Sequence, residues 1–220
     1  MPARNRIKQY ASDSYYHLYN RGHGKKPIFL DNQDYRIFLS YLEEYLLPKN
    51  EKLLMEDLND PTLSPAERDK VLQKIRRNNF ADEITFLAYC LMPNHFHFFV
   101  KQKSAESIDS FMNSLGTRYS MYFNKKYKQV GSLYQGVYKA VLITHEAQFL
   151  HLSRYIHKQA LPHQPSSYRV FIGKEKIPWI QTSKILSYFS KTNPSLSYKS
   201  FVAEQDDLEI IYHLMIEEQE

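Results

Sequence analysis

Residues 83–101 read EITFLAYCLMPNHFHFFVK. Two runs rich in apolar and aromatic residues flank Met92-Pro93-Asn94, which predicts a β-hairpin turning at Pro93-Asn94. Side chains alternate between the two faces of a strand. His95 and His97 therefore share one face, while Phe96 and Phe98 share the other and can enter a core. Two imidazoles side by side on an apolar strand can act as two ligands of one divalent metal. They do not fill a coordination shell, so a third ligand has to come from elsewhere, with positions left for water or phosphate. Read alone, the pair is equally two histidines packed in a core.

Working outward, residues 14–20 (SYYHLYN) predict a strand, broken by Arg21-Gly22-His23-Gly24. Asp31 or Asn32 can cap a helix carrying Tyr35, Phe38, Leu39, Leu42 and Leu46 at helical spacing, with Pro48 just beyond its end. Residues 49–80 are charged and rich in helix formers, and read as an inserted helical excursion. Ser64-Pro65-Ala66-Glu67 is a helix start, with Ser as the cap and Pro in the first turn. After the hairpin, a long helix is predicted over residues 107–127, packing through Phe111, Leu115, Tyr119 and Tyr122. Lys125, Lys126 and Lys128 stand at its C-terminal end, where positive charge suits the helix dipole. Residues 131–143 return as strand or hairpin. Thr144 can cap a further helix that ends near Gln159 or Ala160, before Pro162. Loop follows, then helical patterns near residues 181–189 and 196–216. The order predicts an α+β fold, an antiparallel sheet with helices packed on one side of it. The division expected is a catalytic domain over residues 1–161, with the excursion at about 49–80, and an extension over 162–220 that is loop and then helical.

Composition narrows the function classes. The 220 residues suffice for one domain and an appendage. The single cysteine, Cys90, excludes an internal disulfide framework and a thiolate zinc cluster. A net charge of +5 permits attraction to phosphate without requiring it. Arg4, Arg6 and Lys8 give a basic N-terminal arm. The 18 tyrosines suit a surface that stacks and hydrogen-bonds, though most also fit a core. No leader and no apolar run near ~20 residues is read, so a soluble, cytoplasmic protein with no membrane partner is expected. No Walker-type glycine loop is present, which agrees with a nucleotide-independent reaction.

On the helix after Thr144, His151, Tyr155 and Gln159 recur at i, i+4 and i+8 and form one stripe. Leu152 and Ile156 lie on the adjacent, core-facing stripe. If this helix packs near the histidine strand, Gln159 can offer an oxygen to a metal, and Tyr155, one turn away, a phenol. On counting alone Tyr155 is one tyrosine of 18, and Gln159 is equally a solvated helix end.

The segment MPNHFHFFV resembles the HUH motif of single-tyrosine transposases. YHLYNRG, RYSMYFNKKYKQVGSLYQGVYKAVLI, RYIHKQAL and SSYRVFIG fall in the order found in REP-associated tyrosine transposases. The resemblance spans most of residues 14–173 apart from the excursion. It implies a ferredoxin-like, RRM-like HUH fold, metal-binding His95 and His97, and a nucleophilic Tyr155. It also implies Gln159 as third ligand, where the family carries Asn or Gln. The family's usual Asn-Pro is Gln159-Ala160 here, which weakens that last assignment. His157 is an alternative ligand that helical spacing disfavours. The implied cofactor is Mg²⁺ or Mn²⁺. The implied reaction is cleavage and rejoining of single-stranded DNA through a 5′-phosphotyrosine, on REP-type hairpins. Arg118, Lys125, Lys126, Lys128 and Lys139, interleaved with tyrosines such as Tyr134, can track phosphates and stack bases. The plainer reading is a solvated helix end and core tyrosines. A nucleoid-associated monomer or homodimer is expected. Two other readings stay open: a catalytically silent DNA- or RNA-binding protein of the same fold, and a hydrolase in which water attacks.

Overall fold

The computed structural model describes residues 10–160 and 163–204. The basic arm at Arg4, Arg6 and Lys8 and the far end of the last helical pattern lie outside them. The sheet has four strands: β1 (Tyr15–Arg21), β2 (Ile84–Met92), β3 (His95–Gln102) and β4 (Lys139–Ile143). Their order is β2-β3-β1-β4, and every neighbouring pair is antiparallel. The fold is α+β, as the element order implies.

The helix ends follow their local chemistry. α1 (Asn32–Leu46) starts at Asp31, whose side chain accepts from the Gln33 and Asp34 N–H groups while Asp34 reaches back, a full capping box. α2 (Glu51–Leu58) and α3 (Pro65–Arg76) fill the excursion, and Ser64 caps α3 with Pro65 at its first turn. α4 (Ser107–Tyr127) has the predicted bounds. α5 (Glu146–Gln159) ends where expected, but its N-cap is His145, with no side-chain cap bond, rather than Thr144. Of residues 131–143 only the last five are strand. The rest is loop, joined to the end of β1 by a Gly22–Tyr134 bridge and by Asn20 Nδ2 donating to the Gly136 carbonyl. α6 (Tyr168–Phe171), α7 (Ser183–Leu186) and α8 (Tyr198–Ala203) are short turns of helix. α7 is much shorter than the predicted 181–189 pattern, and α6 was not foreseen.

The pairing register assigns the two sheet faces. Leu18, Phe96, Phe98 and Val100 share one face. Phe38 of α1 lies 5.7 Å from Phe96 and 6.1 Å from Phe98, ring to ring, and Phe111 of α4 packs near Phe86. The other face carries Tyr15, His17, Tyr19 and Arg21 from β1 opposite Lys101, Phe99, His97 and His95 from β3. α5 covers this face, with Phe149 5.0 Å from both Phe99 and Tyr15. Helices on one side only was the expectation, and the structure corrects it. Phe99 and Tyr15 are large aromatics on the histidine face, and burying them requires a helix there too.

The segment after α5 runs along the open edge of β2. Leu91 N–H donates to the Pro165 carbonyl, Ser167 N–H to Tyr89, and Gln181 N–H to Phe86. Trp179 stacks on Tyr89 at 5.4 Å. An unpaired edge is thereby covered. At the other end of the hairpin, the loop after β1 grips its turn. Gly22 N–H donates to Asn94 O at 2.8 Å, and Ile28 and Phe29 N–H donate to Pro93 O at 2.8 and 3.0 Å. Gly22 has to be glycine, because a Cβ there would sit 2.0 Å from the Lys26 carbonyl oxygen.

Candidate active site

The strand period predicts that His95 and His97 share a face, and they do. Their ring centroids are 5.0 Å apart with planes near perpendicular, at 87°. α5 brings the tyrosine to them across about 60 residues of chain. The Tyr155 ring lies 5.4 Å from His97 and 6.2 Å from His17, edge-on to both. Leu152 and Ile156 have no exposed surface, so they seat the helix and leave Tyr155 turned to the histidines. Tyr155 is itself only 3% exposed, so its phenol is enclosed against the polar patch of the sheet.

His17 is the residue that sequence reading missed. Its Nε2 is 2.8 Å from His97 Nδ1, and the two rings stack at 5.0 Å and 18°. Tyr19 joins the group, 4.9 Å from His17 and 5.9 Å from His97. A signal existed: Tyr15, His17, Tyr19 and Arg21 alternate along β1 with the same period as His95 and His97 on β3. Turning it into a contact needed the β1–β3 register. Asn94 was also missed. Its Oδ1 is 2.7 Å from His95 Nδ1, and its Nδ2 donates to the Lys25 carbonyl at 3.1 Å.

Burial, with the Arg21 guanidinium nearby, pushes His95 down to about 4. Burial holds His97 well below the ordinary imidazole range, helped by His17 and His95. Both rings are neutral at pH 7, the state in which imidazole binds a metal. Their Nε2 atoms are buried with no hydrogen-bond partner among the described residues. Two orphaned nitrogens on adjacent neutral rings fit a divalent ion as two of its ligands. No group of three or more His, Cys, Asp or Glu among the described residues is gathered to hold one.

Gln159 is the last residue of α5, partly buried, and makes no hydrogen bond to either histidine. His157 points elsewhere, as the spacing implies. Its Nδ1 meets the Tyr198 hydroxyl at 2.6 Å and its Nε2 the Ser167 hydroxyl at 2.7 Å. Of the basic residues predicted to meet DNA, Lys139 lies on the histidine face, paired with Tyr19 across from β1, and is exposed. Lys125 and Lys128 are exposed at the end of α4. Arg118 is engaged on the other side of the sheet: it pairs with Glu44 at 2.5 Å and lies 3.6 Å over the Tyr41 ring. Lys126 pairs with Asp31 and Asp34 at 2.7 and 2.8 Å. Tyr134 is buried against Phe96. No described helix is long and apolar enough to cross a membrane.

No curated protein matches this chain. Among solved structures, it is similar to a REP-associated tyrosine transposase bound to a REP hairpin, at 10% identity and a TM-score of 0.41, over 88% of this chain and 96% of that one. It is also similar to a protein from Deinococcus radiodurans assigned as a transposase, at 17% identity and a TM-score of 0.29, over 70% of this chain and 97% of that one. Residues 60–159 match the family model described as transposase, IS200 like. That continuous stretch, a little under half of the chain, holds His95, His97, Tyr155 and Gln159.

Proposed function

We propose that the protein is a metal-dependent transesterase that cleaves and rejoins single-stranded DNA with Tyr155 as nucleophile. The observation that carries this reading is the Tyr155 ring at 5.4 Å from His97, beside two imidazole nitrogens with no other partner. A phenol is a weak nucleophile at neutral pH. A divalent ion, Mg²⁺ or Mn²⁺, held by His95 and His97 would draw charge from a non-bridging oxygen of the scissile phosphate. Gln159 stands one turn beyond Tyr155 and would supply an amide oxygen if its side chain turned toward the sheet. The Tyr155 oxygen would form a bond to phosphorus as the bond to the 3′ oxygen breaks. That oxygen would leave as a 3′-hydroxyl with a proton, while the phenol loses its own. The product is a 5′-phosphotyrosine, and attack by another 3′-hydroxyl reverses the step, so the bond energy is conserved without ATP.

The enclosed phenol has to turn outward to meet a phosphate, and catalytic contacts commonly tighten only when substrate binds. Lys139, exposed on the same face, is the basic residue best disposed to guide the strand to it. His95, His97 and Tyr155 meet within one chain.

The test is incubation with Mn²⁺ and single-stranded DNA containing a REP-type hairpin, the substrate that the sequence resemblance suggests. The expected result is a protein–DNA adduct that survives SDS, lost in Tyr155→Phe while DNA binding persists. Cleavage surviving in Tyr155→Phe would favour attack by water, and binding without any adduct from the parent would favour a silent DNA-binding protein.

A further inference from the structure

We propose that Asn94 and His17 are paired positioning residues. Each accepts the Nδ1 hydrogen of one site histidine, so that both His95 and His97 carry their lone pair on Nε2. The inference rests on the metal reading above and adds how the two imidazoles are held ready.

For His95 the chemistry fixes the direction. Asn94 Nδ2 donates to the Lys25 carbonyl, which turns the amide so that Oδ1 lies 2.7 Å from His95 Nδ1. An amide oxygen only accepts, so His95 Nδ1 carries the hydrogen and Nε2 is bare. For His97 two directions are conceivable across the 2.8 Å contact with His17 Nε2. If His17 donated, His97 would carry its hydrogen on Nε2, a buried donor with no acceptor among the described residues. If His97 donates, its Nε2 keeps a lone pair and His17 carries its own hydrogen on Nδ1, so hydrogen-bond counting does not choose between the directions and the need of the cation does. The same tautomer is the one a cation needs, since the hydrogen bond at one ring nitrogen sets which nitrogen is free for metal.

The two supports come from different places. Asn94 belongs to the hairpin turn gripped by the loop after β1, and His17 to the strand beside β3. Neither is on α5, so the tautomers do not depend on where Tyr155 stands.

Nitrogen-15 NMR of the ring nitrogens in the metal-free protein reads the tautomers directly. The expected result is a protonated Nδ1 and a bare Nε2 on both rings. Calorimetric titration with Mn²⁺, without DNA, then compares the parent with His17→Phe, which keeps a ring but no acceptor, and His17→Gln, which offers an amide oxygen. His17→Phe should weaken Mn²⁺ binding by roughly ten- to a hundredfold, and His17→Gln should restore most of the loss. Asn94→Ala and Asn94→Asp give the same contrast for His95, and thermal melts verify that each variant is folded. A hydrogen on His97 Nε2 in the parent, or a folded His17→Phe protein that binds Mn²⁺ as tightly as the parent, would overturn the proposal. If the tautomers are as stated and the parent takes up no Mn²⁺, the metal reading fails while the positioning stands.

Discussion

Asp34 has no exposed surface, yet its carboxylate is held charged. Burial alone would raise its pKa, but hydrogen bonds from Lys126, the Leu30 N–H, Tyr127 and Tyr122 outweigh it, and the net shift is downward. The donors stand 2.8 to 3.0 Å away and join the start of α1 to the end of α4. A folded-state pKa below the unfolded carboxylate's ~3.9 means that the folded chain binds fewer protons at this group. The stabilisation is therefore complete above pH ~4 and fades as the pH drops through the folded-state value. Asp34→Asn should cost about 2 kcal/mol at pH 7, toward the low end for hydrogen bonds to a charge because solvent reaches the Lys126 rim. Urea melts across pH should show the gap between parent and variant closing below pH ~4, and a gap independent of pH would contradict the account. The cluster also explains why Lys126 was misleading as a sequence signal. A lysine at a helix end reads as free charge, and only the packing of α1 on α4 reveals two carboxylates already neutralising it. His95 and His97 were legible for the opposite reason, since the period of one strand sets their common face.

Elements were legible where their cause is local. The hairpin turn, the capping boxes at Asp31 and Ser64 and the bounds of α4 all follow from residues a few positions apart. The cover on the β2 edge was not, because it depends on a return of the chain from residues 165–181 to a strand about 75 to 95 residues earlier. His157 holds that return. On α5, with its rear face toward the extension, it spends one nitrogen on Tyr198 and the other on Ser167, and Ser167 in turn receives the Tyr89 N–H at 2.9 Å. Burial pushes its pKa down to about 3, so the ring is neutral, one nitrogen donating and the other accepting. His157→Phe removes one hydrogen bond from each of two buried hydroxyls, which keep Tyr89 and Ser153 as partners, and should cost roughly 1–3 kcal/mol by urea melt. His157→Gln replaces one of the two bonds and should recover part of that. Hydrogen exchange should quicken first at Leu91 and Ser167, whose N–H groups pair across the edge, and unchanged exchange there would show that the extension is held by something else.

At the scale of the whole molecule, the sheet, α1, α4, α5 and the extension share one core, while α2 and α3 bury no residue. The ends of their excursion are nevertheless tied to the body. Asn79 Nδ2 donates to the Leu47 and Glu44 carbonyls at 2.7 and 3.1 Å, Phe80 N–H to Tyr45 at 2.7 Å, and Lys49 Nζ to Ile75 at 3.0 Å. The chain therefore leaves and re-enters at nearly one place, and closing such a gap with a short flexible loop costs little entropy. Replacing residues 50–76 with a short glycine–serine linker should remove the helical signal of α2 and α3, 8 and 12 residues long, from the circular dichroism spectrum. The melting temperature should stay within a few degrees, about the shift that ~1 kcal/mol produces in a domain of this size. The excursion lies beyond the end of α1, which packs on the sheet face opposite Tyr155, so adduct formation should persist. A collapsed melt would mean that the helices brace α1 after all. A stable protein that no longer captures DNA would instead give the excursion, with Leu53 and Met55 exposed on α2, a part in holding the substrate.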